Sequence, residues 1–496
     1  MPVDTTKFTN LVKTWAEIDF AGAGPPPPPW DDPRDRAAVE QAIRSGKPSM
    51  PLVYQFGYVD PLLNNLDTVL AQFPDFLIET VAGAVYQHEP CAAVRPQLQR
   101  FLAVISNLYR SFLSNSKRAM INVPPAFSPS PPLAMFQNDG DNGPFTLPAD
   151  VTRAYFGSDI GVVSLPSTYR DHPVLWASLA HEVGGHDVIH ADAGLLDELA
   201  DGVRVLFGGG PIPDHGDLNL DQFLGVLWSY WIDEAASDVY GLLNIGPTFA
   251  LNLAGFFSAL IARYVKDHHL EGIPFPLLSH ASVADDDGRL DPHPTDLLRL
   301  SLAIGVIENL AGLATATRNQ YIRDLQALST LCAQGATTIE IGGAIAITRD
   351  RWLPFGQSLP LQPMQDAARR VGAYLATARL TSFGGHTIQD LETWDDPDEL
   401  TAQQIAAMLK DGKSVVDQGD DAQLLAGATV AVLDQPDKTD AIDRLLEAAL
   451  DKSFAVDPVW TSLSIHPSFR RQLLPPAQAP IIEFARTVEI TTRRAS

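Results

Sequence analysis

The segment His181-Glu-Val-Gly-Gly-His186 holds two imidazoles and a carboxylate within six residues. Neutral imidazole is a good zinc ligand, and catalytic zinc sites commonly use three protein ligands with one position left open. The flanking apolar residues, Val174, Leu175, Trp176 and Leu179 before and Val188 and Ile189 after, recur at helical spacing. Paired histidines on a helix usually stand four apart. At about 100° per residue both rings then share a face, and a Glu beside the first can act as a base. Here the spacing is five, which on a regular α-helix turns the rings about 140° apart. A local i→i+5 bulge would bring them together, and such bulges recur at functional sites. Gly184 and Gly185 fit a bulge at 183–185. Each costs about 1 kcal/mol in a helix interior relative to Ala, and backbone freedom beside a metal is the reason they suggest.

A second segment supplies the acids. The apolar run Leu224 to Tyr230 leads into Trp231-Ile-Asp-Glu-Ala-Ala-Ser-Asp-Val-Tyr-Gly241. Glu234 and Asp238 are four apart and share a helix face. Glu234 is the expected third, carboxylate ligand. Asp238 is expected behind it, accepting the N–H from the far nitrogen of a ligating histidine. Two acids in an apolar helix are costly unless paired or metal-bound.

Together, His181-Glu-Val-Gly-Gly-His186 and Asp233-Glu-Ala-Ala-Ser-Asp238 resemble the sites of gluzincin zinc metallopeptidases. The stretch 233–241 resembles the third-ligand helix of thermolysin-like enzymes. The six-residue HExxGH form, followed by two acids and a further acid four residues on, resembles the dipeptidyl peptidase III family. The resemblance covers roughly residues 177–242. It implies one Zn²⁺ per chain on His181, His186 and Glu234, with Glu182 as general base and acid. It also implies a downstream histidine that stabilises the oxyanion; His293, in Asp291-Pro-His-Pro-Thr-Asp296, stands at a comparable distance. Arg299 is a candidate for contact with a substrate carboxylate or carbonyl. Tyr169, Tyr230 and Tyr240 remain open as a further donor. His190, four after His186, lacks the glycine turn that precedes a third histidine ligand in metzincins and is set aside.

The surrounding pattern sets the elements that must hold these residues. The fold class expected is mainly α with a small β component, a zincin-like core with flanking helical regions. Three regions are expected: a mostly helical 1–149 with proline-rich connectors, a catalytic 150–335, and a mostly helical 336–496. Phe8, Leu11, Val12 and Trp15 form one apolar stripe, and Leu98, Phe101, Leu102, Ile105, Leu108 and Phe112 another. Pro25 to Pro29 read as an extended connector. Residues 123–149, rich in Pro, Asn, Asp and Gly, read as a linker. Ile160 to Leu165 and Thr338 to Ile347 read as strands. By analogy with zincins the first would be an edge strand that pairs with substrate. The acidic 390–399 stretch reads as a solvated loop, and 400–452 as helical.

Composition narrows the partners. The 496 residues carry 35 Lys+Arg against 60 Asp+Glu, a net charge of −25. That excludes a phosphate-backbone binder, which needs Lys and Arg to neutralise phosphates, and disfavours an anionic membrane surface. Hydrophobic residues make up 45%, enough for sizeable cores. Cys91 and Cys332 are far apart and form no CxxC pair, so two buried thiols are expected. Leu242 to Tyr264 is apolar but interrupted by Asn244, Pro247 and Asn252, and reads as a buried helix pair. No basic start leads into an apolar run, so a cytoplasmic location is expected. The sequence-level reading is a zinc metallopeptidase acting on a peptide or small protein. Its alternatives are a non-catalytic zinc-binding scaffold and a zinc hydrolase of a non-peptide amide or ester.

Overall fold

The computed structural model describes residues 3–18, 27–128, 130–137, 143–209, 218–269, 278–282, 288–348 and 351–461. Helices dominate, with two small three-stranded sheets. Helix α1 (Thr5–Ala16) buries Phe8, Leu11, Val12 and Trp15, and Asp4 caps it by accepting from the amide of Thr6. Helix α2 (Arg95–Leu113) buries the whole stripe expected of it. Of the proline connector, Pro25 and Pro26 lie outside the described residues.

The first sheet corrects two expectations. Strand β1 (Leu133–Gln137) pairs parallel with β3 (Val162–Pro166), and β2 (Phe145–Leu147) pairs antiparallel with β3 on its other side. The stretch 123–149 is therefore not a linker: it holds both edges of a buried sheet. The expected edge strand is the central one. All three strands are buried on both faces, so they lack the polar alternation that marks a half-exposed strand. Leu133, Met135, Phe145, Leu147 and Val162 face a small core built on residues 30–85. Ala134, Phe136, Val163 and Leu165 face the large core. Thr146 lies between Phe145 and Leu147, so it points to the large-core side, where the histidine segment lies. Helix α3 (Ala149–Phe156) follows β2 directly and ends on Gly157, at φ 79°.

The histidine segment takes the bulged form. A 3₁₀ run, Pro173–Leu179, leads into a π-helical turn, His181–Asp187, which relaxes into helix α4 (Val188–Ala191). Across from it runs α5 (Ile232–Ile245), with Ile232, Ala235, Ala236 and Val239 buried around the acids. The two elements touch backbone to backbone. A Cβ on Gly185 would lie 2.3 Å from Ser237 Cβ and 2.4 Å from Ser237 Cα. The glycine is thus needed for close approach, a more specific reason than the conformational freedom inferred from sequence.

Helix α5 and helix α6 (Thr248–Asp267) form the expected buried pair. Gly246 turns the chain between them at φ 77°, and a Cβ there would meet the Trp394 ring at 2.5 Å. The segment Thr248–Lys266 is long and apolar enough to cross a membrane by composition, but 61% of its apolar window is buried inside the protein. Helix α7 (Asp296–Ile307) packs on both. Strand β4 (Ala281–Ser282) runs parallel to β5 (Thr338–Thr348), which forms a long hairpin with β6 (Arg351–Pro360). Helix α8 (Thr439–Val456) closes on α2. One apolar core contains residues from Phe8 to Leu450, so it passes through all three expected regions. The acidic 390–399 stretch is not a solvated loop. Trp394 is buried, and the buried carboxylate of Glu399 accepts from Tyr321 Oη at 2.8 Å and Trp394 Nε1 at 3.1 Å. Cys332 is buried, as expected, but Cys91 is exposed.

The Gly185 contact gives a direct test. Gly185→Ala is expected to destabilise the fold by about 1–3 kcal/mol through overpacking, read as a lowered denaturant midpoint. Adding Ser237→Gly should fail to restore it, because Ser237 Cα already stands too close. Full restoration by the double variant would show that only the serine side chain sets the approach.

Candidate metal centre

The π-helical turn brings His181 and His186 to one side, with ring centroids 4.8 Å apart and planes at 86°. Their Nε2 atoms are 3.2 Å apart. Glu234, from the first turn of α5, closes the group. Its Oε2 is 3.0 Å from His181 Nε2, and its Oε1 is 3.5 Å from His186 Nε2. Ligand atoms of all three residues lie within 4.8 Å of one another. His181 and Glu234 are buried, at 7% and 6% exposure, and His186 is nearly so.

Each histidine is oriented from behind by its own carboxylate. His181 Nδ1 is 2.9 Å from Asp238 Oδ1, and His186 Nδ1 is 3.0 Å from Asp233 Oδ1. A carboxylate only accepts, so both Nδ1 atoms carry their protons. The Nε2 lone pairs therefore face each other and Glu234. Glu234 Oε2 is buried without a hydrogen-bond donor, despite its nearness to His181. Two imidazole nitrogens and a carboxylate that converge in this way can be joined by a shared proton or by a metal ion. Two imidazole nitrogens and one carboxylate oxygen suit a divalent transition metal.

The electrostatics agree. Burial opposes a charge on His181, but Asp238 and Glu234 outweigh it and push the ring up to about 9. His186 is raised against the same burial by Asp233 and Glu234. Burial would raise Glu234, yet His293, His186 and His181 hold it well below the usual carboxylate range. The pocket draws positive charge, as protons or as a metal ion.

His293 joins the group from the loop before α7. Its Nε2 is 3.3 Å from Glu234 Oε1, and its Nδ1 is 2.8 Å from Asp291 Oδ1. Burial lowers it, but Glu234 and Asp291 carry it up to about 9. Glu182 is buried within the turn. Its Oε2 accepts from Thr146 Oγ1 at 2.9 Å, and its backbone carbonyl accepts from the same hydroxyl at 3.0 Å. Among the described residues Thr146 is the partner of this carboxylate, which leaves Oε1 free.

Arg299 stands behind Asp238. It is buried, donating from Nε to Asp238 Oδ2 at 2.7 Å and from Nη2 to Asp238 Oδ1 at 2.6 Å. This fork–fork pair fixes Asp238 from inside the protein. Nη2 also lies 3.2 Å from His181 Nδ1, but a guanidinium cannot accept that proton, so Asp238 does. Of the three tyrosines, Tyr240 has a buried hydroxyl with no hydrogen-bond partner among the described residues. Tyr230 Oη donates to the Leu290 carbonyl, Tyr240 is stacked on Phe112, and Tyr169 packs on Phe256. His190 does not enter the ligand set. Its two ring nitrogens face Asp150 and Asp233.

Sequence reasoning missed Thr146, which lies inside the stretch read as linker, and Asp150, which follows it directly. It named Asp233 only through a resemblance, although its position beside Glu234 signalled a role. The expected outcome at this centre is one divalent metal per chain in wild type. Asp233→Asn should weaken the metal by about 10–100-fold, measured by chelator competition. An unchanged affinity would remove His186 from the ligand set.

The chain matches no protein-family model, no curated protein and no solved structure, so the centre is argued from its own geometry.

Proposed function

We propose that this protein is a zinc-dependent hydrolase that cleaves peptide bonds, with Glu182 as general base. One observation carries the reading. The turn that aligns two imidazole lone pairs with Glu234 also buries a carboxylate with one oxygen anchored and one free. A purely structural site needs no such group. Zinc, when held there, supplies a Lewis acid that polarises a carbonyl and acidifies water.

The chain's residues do the rest. Glu182 Oε1 accepts a proton from the attacking water and returns it to the leaving amine nitrogen. Thr146 holds Oε2, so the carboxylate does not rotate away between these steps. His293, kept protonated beside Asp291, presents Nε2–H to the developing oxyanion. Asp238 and Asp233 keep His181 and His186 in the tautomer that leaves Nε2 free. The substrate is a peptide or small protein. The −25 charge disfavours nucleic acid and anionic membranes as partners. Two cysteines without a disulfide fit a cytoplasmic setting.

A second reading has its own observation. His293 Nε2 stands beside Glu234 at 3.3 Å and can serve as a fourth ligand. A site closed by four protein ligands would make the protein a zinc-binding scaffold. One experiment separates the two. Metal content is measured, and a peptide library is digested and read by mass spectrometry beside Glu182→Gln. The hydrolase reading expects one zinc per chain and cleavage that falls by about 10²–10⁴-fold in the variant, with zinc retained. Zinc without cleavage by wild type supports the scaffold. Turnover of esters or non-peptide amides alone moves the substrate class. No stoichiometric zinc at a pH where the histidines are neutral overturns both readings.

A further inference from the structure

The metal-facing histidines are not anchored alike. Behind His181 stands Asp238, itself gripped by the buried Arg299. Behind His186 the network runs further. Asp233 gives Oδ1 to His186 Nδ1 at 3.0 Å, and its Oδ2 lies 3.2 Å from His190 Nε2. His190 Nδ1 in turn lies 3.0 Å from Asp150 Oδ2. An imidazole that faces a carboxylate through each nitrogen must donate from both, so His190 is held as a cation between two anions. Asp150 is held too, with Oδ1 on the Val151 amide at 2.7 Å in the first turn of α3.

The spacing explains how the chain builds this line. After the π-helical turn the backbone returns to a regular helix, so His190 falls one α-turn beyond His186 on the same side. The other anchor comes from the segment 145–150. Thr146 at one end holds Glu182, and Asp150 at the other holds His190. One short segment therefore fixes the proposed base and, through two intermediates, one of the ligands. The line also reaches outward. Asp150 and Asp233 side chains are 44% and 35% exposed, whereas Asp238 and Arg299 are each 4% exposed.

We propose that Asp150 and His190 are positioning residues for the metal centre, forming with Asp233 a relay that fixes the orientation and basicity of His186. The inference rests on the reading of His181, His186 and Glu234 as metal ligands. His190 supplies the positive charge that Arg299 supplies on the other side. Without it, Asp233 loses its second partner and is free to turn from His186. The ligand then loses both its fixed tautomer and its orientation, and metal affinity falls.

The test uses the full chain and reads the metal, not turnover. Zinc affinity is measured by chelator competition for wild type, His190→Leu, His190→Gln and Asp150→Asn. Each is also loaded with Co²⁺ for its visible absorption spectrum, and the unfolding midpoint of each metal-free protein is recorded. The relay predicts weaker zinc by about 10–100-fold in His190→Leu, a smaller loss in Asp150→Asn, and an altered Co²⁺ spectrum in both. His190→Gln, which keeps one donor for Asp233, should recover part of the affinity. A lowered unfolding midpoint with zinc affinity and Co²⁺ spectrum unchanged would overturn the proposal and leave His190 a packing residue. Wild type that binds neither zinc nor Co²⁺ would instead overturn the metal-site reading itself.

Discussion

The centre depends on one close contact, Gly185 against Ser237. Packed helices usually keep their axes 8–10 Å apart because side chains fill the gap. Here a residue without a side chain lets the π-helical turn settle on the backbone of α5, where a Cβ would stand 2.3 Å from its neighbour. Ser237 lies between Glu234 and Asp238 in the chain. The contact therefore fixes the turn of α5 that holds both acids: Glu234 to close the ligand group and Asp238 to hold His181 from behind. Two glycines in a helical turn cost about 2 kcal/mol of propensity.

Around this contact, charge alternates. Each of the three histidines at the centre has an aspartate behind it, and the aspartates of the two paired histidines each answer to a further cation. Burying ions costs several kcal/mol each unless geometry and hydrogen bonding repay it. The repayment here is a set of short, aligned contacts that hold ring tautomers. What remains uncompensated is the centre itself, where three acceptors meet. There His181, His186 and Glu234 stand close enough together that they could hold a metal ion.

Much of this was legible in sequence because it is local. The five-residue histidine spacing with two glycines called for a π-bulge, and the turn at 181–187 supplies it. Glu234 and Asp238 were readable as a pair because four residues make one helical turn. The buried stripes of α1 and α2 followed from periodicity. The misreadings share a cause. Strands β1 and β2 are short and buried on both faces, so they carry no alternation, and the polar residues between them made the whole stretch resemble a linker. Thr146 and Asp150 were hidden with it. The pairing of Arg299 with Asp238 was not readable either, because the two stand 61 positions apart.

The chemical types at the centre, the local bulge and the mostly helical class are readable along the chain, since each depends on residues within one or two turns. Long-range packing sets which acid stands behind His181 and His186 and which cation stands behind each of those acids. It also decided which strand lies against the base. The pairings around Glu182, His181 and His186 join residues 36 to 61 positions apart. Their partners are selected by packing, and no local propensity records them.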